Sequence, residues 1–113
     1  DVYKRQAFSS LCATRDWLDT DMACAFMAAY RKAQILALEA PAHEIARMEQ
    51  EFFPRIEPQV LGETIATYQQ LGCWQKDPVI SRESYENLLD IFLFNGLINQ
   101  RHAYESVIVA PPC

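Results

Sequence analysis

The side chains in this sequence that could do chemistry are two histidines, four cysteines and scattered carboxylates and serines, and their spacing limits that chemistry sharply. His43 stands beside Glu44, and His102 lies in the polar run 99–103. Neither has a Cys, Asp or second His three or four residues on, so the paired helical metal ligands of an H-E-x-x-H site are missing; both are expected at the surface. Glu44, Glu49 and Glu51 share one helical pattern, with Arg47 placed four residues before Glu51. That is the pattern of a solvated face, whose ion pairs contribute a few tenths of a kcal/mol. Ser9, Ser10, Ser81 and Ser84 come without a G-x-S-x-G elbow. Gly62, Gly72 and Gly96 lie too far apart to form a phosphate-cradling loop.

Cys12, Cys24, Cys73 and Cys113 include no C-x-x-C pair, which excludes the close spacing of zinc and redox sites. Their long irregular gaps in a helical chain predict buried or idle thiols rather than a disulfide framework. Trp74, in the connection after Gly72, could stack on a heteroaromatic ligand or close over a cleft. Large aromatics in short connections usually pack, so Trp74 and Trp17 are read as loop anchors. The residues thus assign no catalytic group, no metal site and no cofactor, and leave the ligand-binding residues unknown.

The elements that must position these side chains are helical. Residues 7–13 alternate weakly and predict one short strand. Thr20 or Asp21 caps a helix that runs to about Glu39, with Met22, Phe26, Ala29, Ala33 and Leu36 at helical spacing. Pro41 ends it and pushes Ala40 out of helical conformation. A second helix covers 42–53, with Ile45, Met48 and Phe52 on one stripe, before Pro54. A third starts at Pro58, a residue suited to a first helical turn. It buries Leu61, Ile65 and Tyr68 and stops at Gly72. Ser81 caps a fourth, whose stripe is Tyr85, Leu88, Leu89 and Phe92. Gly96 closes that helix, with Leu97 folding back on Phe92. Residues 104–109 supply a last apolar stretch of about one turn, and Pro111-Pro112 ends the order. The 113 residues therefore predict a mainly α chain of about four helices and one strand.

Apolar residues make up 50% and charged residues 22%, the balance of a globular protein. The net charge is −5, and the first six residues contribute +1 of it, which leaves −6 on 7–113. An acidic chain without a Lys/Arg cluster is a poor partner for nucleic acid or anionic membranes. Asp1–Gln6 reads as the in-frame translation of a transposon-derived sequencing adapter, and the first Met is Met22, inside a helical pattern. Residues 1–6 are therefore set aside as non-native, and native sequence is expected upstream of Ala7.

Taken in order, several phrases resemble one family: Arg15-Asp16-Trp17 before an alanine-rich helix with Ala25-Phe26 and Ala29-Tyr30; Phe53-Pro54; Tyr68-Gln69-Gln70-Leu71-Gly72-Cys73-Trp74; Asp77-Pro78-Val79-Ile80; Asn95-Gly96-Leu97-Ile98; and Tyr104-Glu105. This order resembles the C-terminal part of ABC-importer substrate-binding proteins, in the branch that binds nitrate, alkanesulfonates, taurine or thiamine-pyrimidine precursors. The resemblance covers 7–110. It departs at Gln75, where many members have proline, and in the ending Pro111-Pro112-Cys113, so that 111–113 is a tail.

The resemblance implies a two-lobed α/β full-length protein of periplasmic-binding-protein type II-like fold. In such a protein 7–110 supplies the last crossing between lobes and the helices that buttress the first lobe. It further implies capture of a small organic or anionic solute, delivery to an ABC permease, and a periplasmic or membrane-anchored extracytoplasmic location. No catalysis and no cofactor are implied, and no binding residue carries over onto this stretch. The same scaffold also resembles thiamine-pyrimidine synthases, which use pyridoxal phosphate, and a free-standing helical interaction module is the third alternative.

Overall fold

The computed structural model describes residues 9–113. Six α-helices follow one another: α1 (Arg15–Leu18), α2 (Asp21–Glu39), α3 (Ala42–Glu49), α4 (Pro58–Leu71), α5 (Arg82–Phe94) and α6 (Tyr104–Val107). A 3₁₀ turn, Gln50–Phe52, continues α3. Among the described residues there is no strand. The strand expected over 7–13 is corrected for residues 9–13, which run irregularly, while 7 and 8 lie outside the described part. A strand needs a ladder partner, and the residues described here offer none. The chain divides into two compact units, residues 28–77 and the residues up to 27 together with 78–113.

Within 28–77 the organising contact is the α3–α4 hairpin. Ile45 and Ala46 of α3 are buried against Leu61 and Ile65 of α4, and Ala40, Ala42 and Trp74 pack around them. Pro58 occupies the first turn of α4, and Gly72 ends it at φ 66°. That left-handed conformation is one glycine adopts without a Cβ clash. Two amides brace the unit. The Gln69 Nε2 donates to the carbonyls of Ala37 and Ala40, both at 2.9 Å, which satisfies oxygens left open at the end of α2. The Gln50 Nε2 donates to Phe53 O (3.1 Å) and Ile56 O (2.9 Å), holding the bend that leads into α4.

Gly62 lies inside α4 facing α3. A Cβ there would meet Ala46 Cβ at 3.8 Å and His43 Cα at 3.9 Å, ordinary contact distances. Alanine fits that space and has the better helix propensity. Gly62→Ala is therefore expected to stabilise the hairpin by about 0.5–1 kcal/mol, read as slower amide exchange along α4; faster exchange would show that the two helices cannot take up the methyl group.

In the other unit, Thr14 caps α1 by accepting from the Trp17 N–H at 3.3 Å. Thr20 caps α2 by accepting from the Ala23 N–H at 3.2 Å. Ser81 caps α5 through the Ser84 N–H at 3.1 Å. α5 closes as a full Schellman end: the Gly96 N–H reaches Leu93 O (3.0 Å) and the Leu97 N–H reaches Phe92 O (2.8 Å). The Leu97 side chain, expected to fold back on Phe92 as the hydrophobic contact of this turn, instead stays 69% exposed, so the end is closed by backbone bonds. Tyr85 and Leu89 form the buried face of α5, and Ala23 and Met27 that of α2.

This last point corrects the predicted stripe of α2. Met22 (69% exposed), Phe26 and Leu36 lie outside, and the buried line starts one residue later, at Ala23 and Met27. Apolar residues occur on several sides of this alanine-rich helix, so spacing alone did not choose a face. Met48 and Phe52 are likewise exposed. α3 gives way to a 3₁₀ turn at Gln50, and the changed rotation carries Phe52 off the Ile45 stripe.

Candidate functional site

The densest set of directed polar contacts lies where α6 and the segment before it meet α5. Ser81 fixes the first turn of α5, and Tyr85 and Glu86 follow Arg82 by three and four residues, with Asp90 four residues after Glu86. Arg82 pairs with Glu105 and lies 4.7 Å over the Tyr104 ring. Tyr104 meets Tyr85 edge-on, with ring centroids 5.7 Å apart. The two hydroxyls are satisfied by backbone: Tyr85 donates to His102 O at 2.8 Å and Tyr104 donates to Ile80 O at 2.5 Å. Arg15 donates to Ser106 O at 3.2 Å.

Arg101 closes the other side. Its guanidinium pairs with Glu86 and Asp90 and donates to Glu86 O at 3.1 Å. Glu86 and Asp90 stand one turn apart and would repel each other; Arg101 between them removes that cost. Bonding to Asp90 and Glu86 raises the Arg101 pKa, and bonding to Glu105 raises that of Arg82. The Glu105 carboxyl is held below its ordinary value, first by the Arg82 hydrogen bond and then by a backbone N–H.

This geometry is a latch. Arg82 and Arg101 are matched by carboxylates, Arg15 by a backbone carbonyl, and both tyrosine hydroxyls are committed to carbonyls. A cavity of about 330 Å³ opens nearby, lined by Gly96, Leu97, Ile98, Asn99, Gln100 and His102. Its lining comes from one short stretch, 96–100 with His102, and His102 is its single titratable side chain. Among the described residues no three His, Cys, Asp or Glu side chains come together in a way that could hold a metal ion.

The residues singled out from the sequence are dispersed. His43 and His102 are exposed, as expected. Arg47 and Glu51 do not pair, because the helix tightens to 3₁₀ between them. Ser81 and Ser84 serve the α5 cap, while Ser9 and Ser10 are exposed. Trp74 is an anchor: it packs on the α3–α4 core, with its ring 5.7 Å from that of Tyr68. Trp17 does the same against Phe26, at 5.9 Å.

The cysteines require a correction. Cys24 and Cys113 form a disulfide with Cα atoms 5.4 Å apart, and Cys12 and Cys73 are free but exposed rather than buried. A long sequence gap did not argue against this bond, because folding brings the segment after α6 back to α2. Sequence reasoning also missed Arg82, Arg101, Tyr104 and Gln69, whose partners are distant in sequence. One local signal existed: Glu86 and Asp90 at i,i+4 on one helix call for a cation.

The lowered Glu105 pKa sets a sign. A carboxylate held below its unfolded value stabilises the folded state at pH above that value, and the contribution is lost as pH falls through the lowered one. The α6 latch is therefore expected to loosen on acidification, through and below the usual glutamate range. An NMR titration of the Glu105 carboxyl should move up towards that usual range in Arg82→Met, with the backbone N–H still holding it somewhat below; an unchanged titration would mean that Arg82 is not the main cause. Compared with protein-family models, curated proteins and solved structures, the chain matches none.

Proposed function

We propose that this chain is the C-terminal part of the solute-binding component of an ABC importer, one that captures a small organic or anionic solute and hands it to a permease without catalysis. The observation that carries the reading is the ordered series of phrases from Arg15 to Glu105. Three further features support it. Many of those phrases fall at helix ends and junctions: Gly72 and Trp74 at the close of α4, Asn95-Gly96 at the Schellman turn, Tyr104-Glu105 in the latch. Such positions fix how helices meet.

The second feature is apolar surface. Phe94 is 91% exposed and Met22, Phe26, Leu36, Phe52 and Leu97 are also open to solvent, while only eight apolar residues are buried among those described. Helices that serve as a buttress have such faces to lay against the rest of a larger protein. The third is the Cys24–Cys113 bond, since disulfides persist in oxidising compartments such as the periplasm. No helix is long and apolar enough to cross a membrane among the described residues. The two-lobed α/β architecture of the whole protein and its extracytoplasmic location belong to this proposal.

The test is the continuous reading frame upstream of Ala7, followed by calorimetric titration of the whole protein with nitrate, taurine, an alkanesulfonate and a thiamine-pyrimidine precursor. The proposal expects an export signal and saturable binding of one of these solutes. A stop codon or start site directly before Ala7 would contradict it. Stoichiometric pyridoxal phosphate, seen by its absorbance, would point instead to the synthase-like enzyme.

A further inference from the structure

We propose that Asn95 is a site of spontaneous deamidation through the nitrogen of Gly96, and that the Schellman end of α5 gates the reaction. The chain holds three asparagines, and only Asn95 is followed by glycine; Asn87 precedes Leu88 and Asn99 precedes Gln100. Glycine leaves its nitrogen unshielded, whereas the side chains of Leu88 and Gln100 crowd theirs. Asn95 and Gly96 are both exposed, and a Cβ at Gly96 would meet no atom beyond its chain neighbours within 4 Å. Water therefore reaches both residues.

The reaction needs no partner but water. A base takes the Gly96 amide proton, and the nitrogen attacks the side-chain carbonyl carbon of Asn95. A five-membered succinimide forms as the bond to the side-chain nitrogen breaks and ammonia leaves with a proton. Water then opens the ring on either side. The product is aspartate or, with the chain rerouted through the β carbon, isoaspartate. In sum, amide and water become carboxylate and ammonium, with no change of oxidation state.

The folded geometry withholds each part of this step. At the Asn95 ψ of 2° the Gly96 nitrogen eclipses the Asn95 nitrogen, whereas ring closure requires it to eclipse Cβ. The Gly96 N–H is held on Leu93 O at 3.0 Å, and the Asn95 Nδ2 donates to Ile91 O at 2.8 Å. The Leu97 N–H, on Phe92 O at 2.8 Å, fixes the turn around them. Deamidation thus proceeds from the fraction of molecules in which the last turn of α5 is open. The product does not restore that turn. A carboxylate at 95 stands at the negative end of the helix dipole, and isoaspartate adds one atom to the backbone just before the two N–H groups that close the helix.

The experiment incubates the 113-residue chain in neutral buffer and in guanidinium chloride. Peptide mapping by mass spectrometry follows each asparagine, and chromatography separates isoaspartate. In denaturant, Asn95 should convert faster than Asn87 and Asn99. In the folded chain its conversion should be at least about tenfold slower than in denaturant, the mark of a reaction that waits for local opening. Leu97→Pro removes the N–H that reaches Phe92 O, at an exposed position just past the helix where proline is common. Judged against its own rate in denaturant, it should cut the protection by at least about threefold. In converted chains the Leu97 amide should exchange faster with solvent. Equal rates folded and denatured, full protection in Leu97→Pro, conversion of Asn95 no faster than of the other two asparagines, or unchanged exchange at Leu97 would each overturn the proposal.

Discussion

Replacing Tyr85 by alanine is expected to loosen α5 and α6 by roughly 3 kcal/mol, the scale of deleting a buried aromatic side chain. Tyr85 is 5% exposed, meets the Tyr104 ring edge-on and donates to His102 O. Alanine removes all three at once: the burial, the ring contact and the tie to the segment before α6. Tyr85→Phe keeps the ring and removes only the hydroxyl, so it should cost about 1 kcal/mol. The His102 carbonyl is then left to find water, which an exposed residue can do. Hydrogen exchange of α5 amides reads both variants, and equal losses for Ala and Phe would show that the hydroxyl, not the packing, dominates.

The second large effect is expected at Ile65. It is 3% exposed and packs with Ile45, Ala46 and Leu61. Ile65→Ala should lower the opening free energy of α3 and α4 amides by about 2–4 kcal/mol, the cost of lost transfer energy plus an unfilled cavity. Neighbours in so small a core can collapse into part of the gap, which places the value towards the lower end. Met48→Ala on the same hairpin is the contrast: its side chain is half-exposed and should change exchange by less than about 0.5 kcal/mol. A comparable loss at both positions would mean that the hairpin buries a different face.

Helix ends were legible in the sequence because their causes are local. Thr20, Pro41, Pro58, Gly72, Ser81 and Gly96 each act through a cap, a missing N–H or a left-handed φ, and the structure uses them in those roles. Helix faces were less legible. α4 buries Leu61 and Ile65 as its periodicity selects but leaves Tyr68 45% exposed against Trp74. α5 buries Tyr85 and Leu89 with Leu88 and Phe92 half-buried, whereas α2 has apolar groups on several sides and its buried line falls beside the predicted one. The short α1 went unpredicted because four residues leave no periodicity to read, although Thr14 was there to cap it.

Long-range pairings were the least legible. Neither the disulfide, whose cysteines are 89 residues apart, nor the Arg82–Glu105 pair has a local signature. The Trp74 anchor was readable by contrast, since a large aromatic directly after a helix end has the adjacent hairpin to pack on. The latch is consequently a product of tertiary contacts that pattern reading does not reach, whereas the hairpin follows from stripes and turn residues.

The proposed function has the apolar faces of these locally formed helices covered by the rest of a larger protein. The most direct measurement is thermal unfolding of residues 7–113 followed by far-ultraviolet circular dichroism and by tryptophan fluorescence. A clear helical signal that melts broadly is expected, with transitions from the two probes that do not coincide. A single sharp two-state transition of a monomer, coincident by both probes and unchanged when the chain is lengthened, would contradict it.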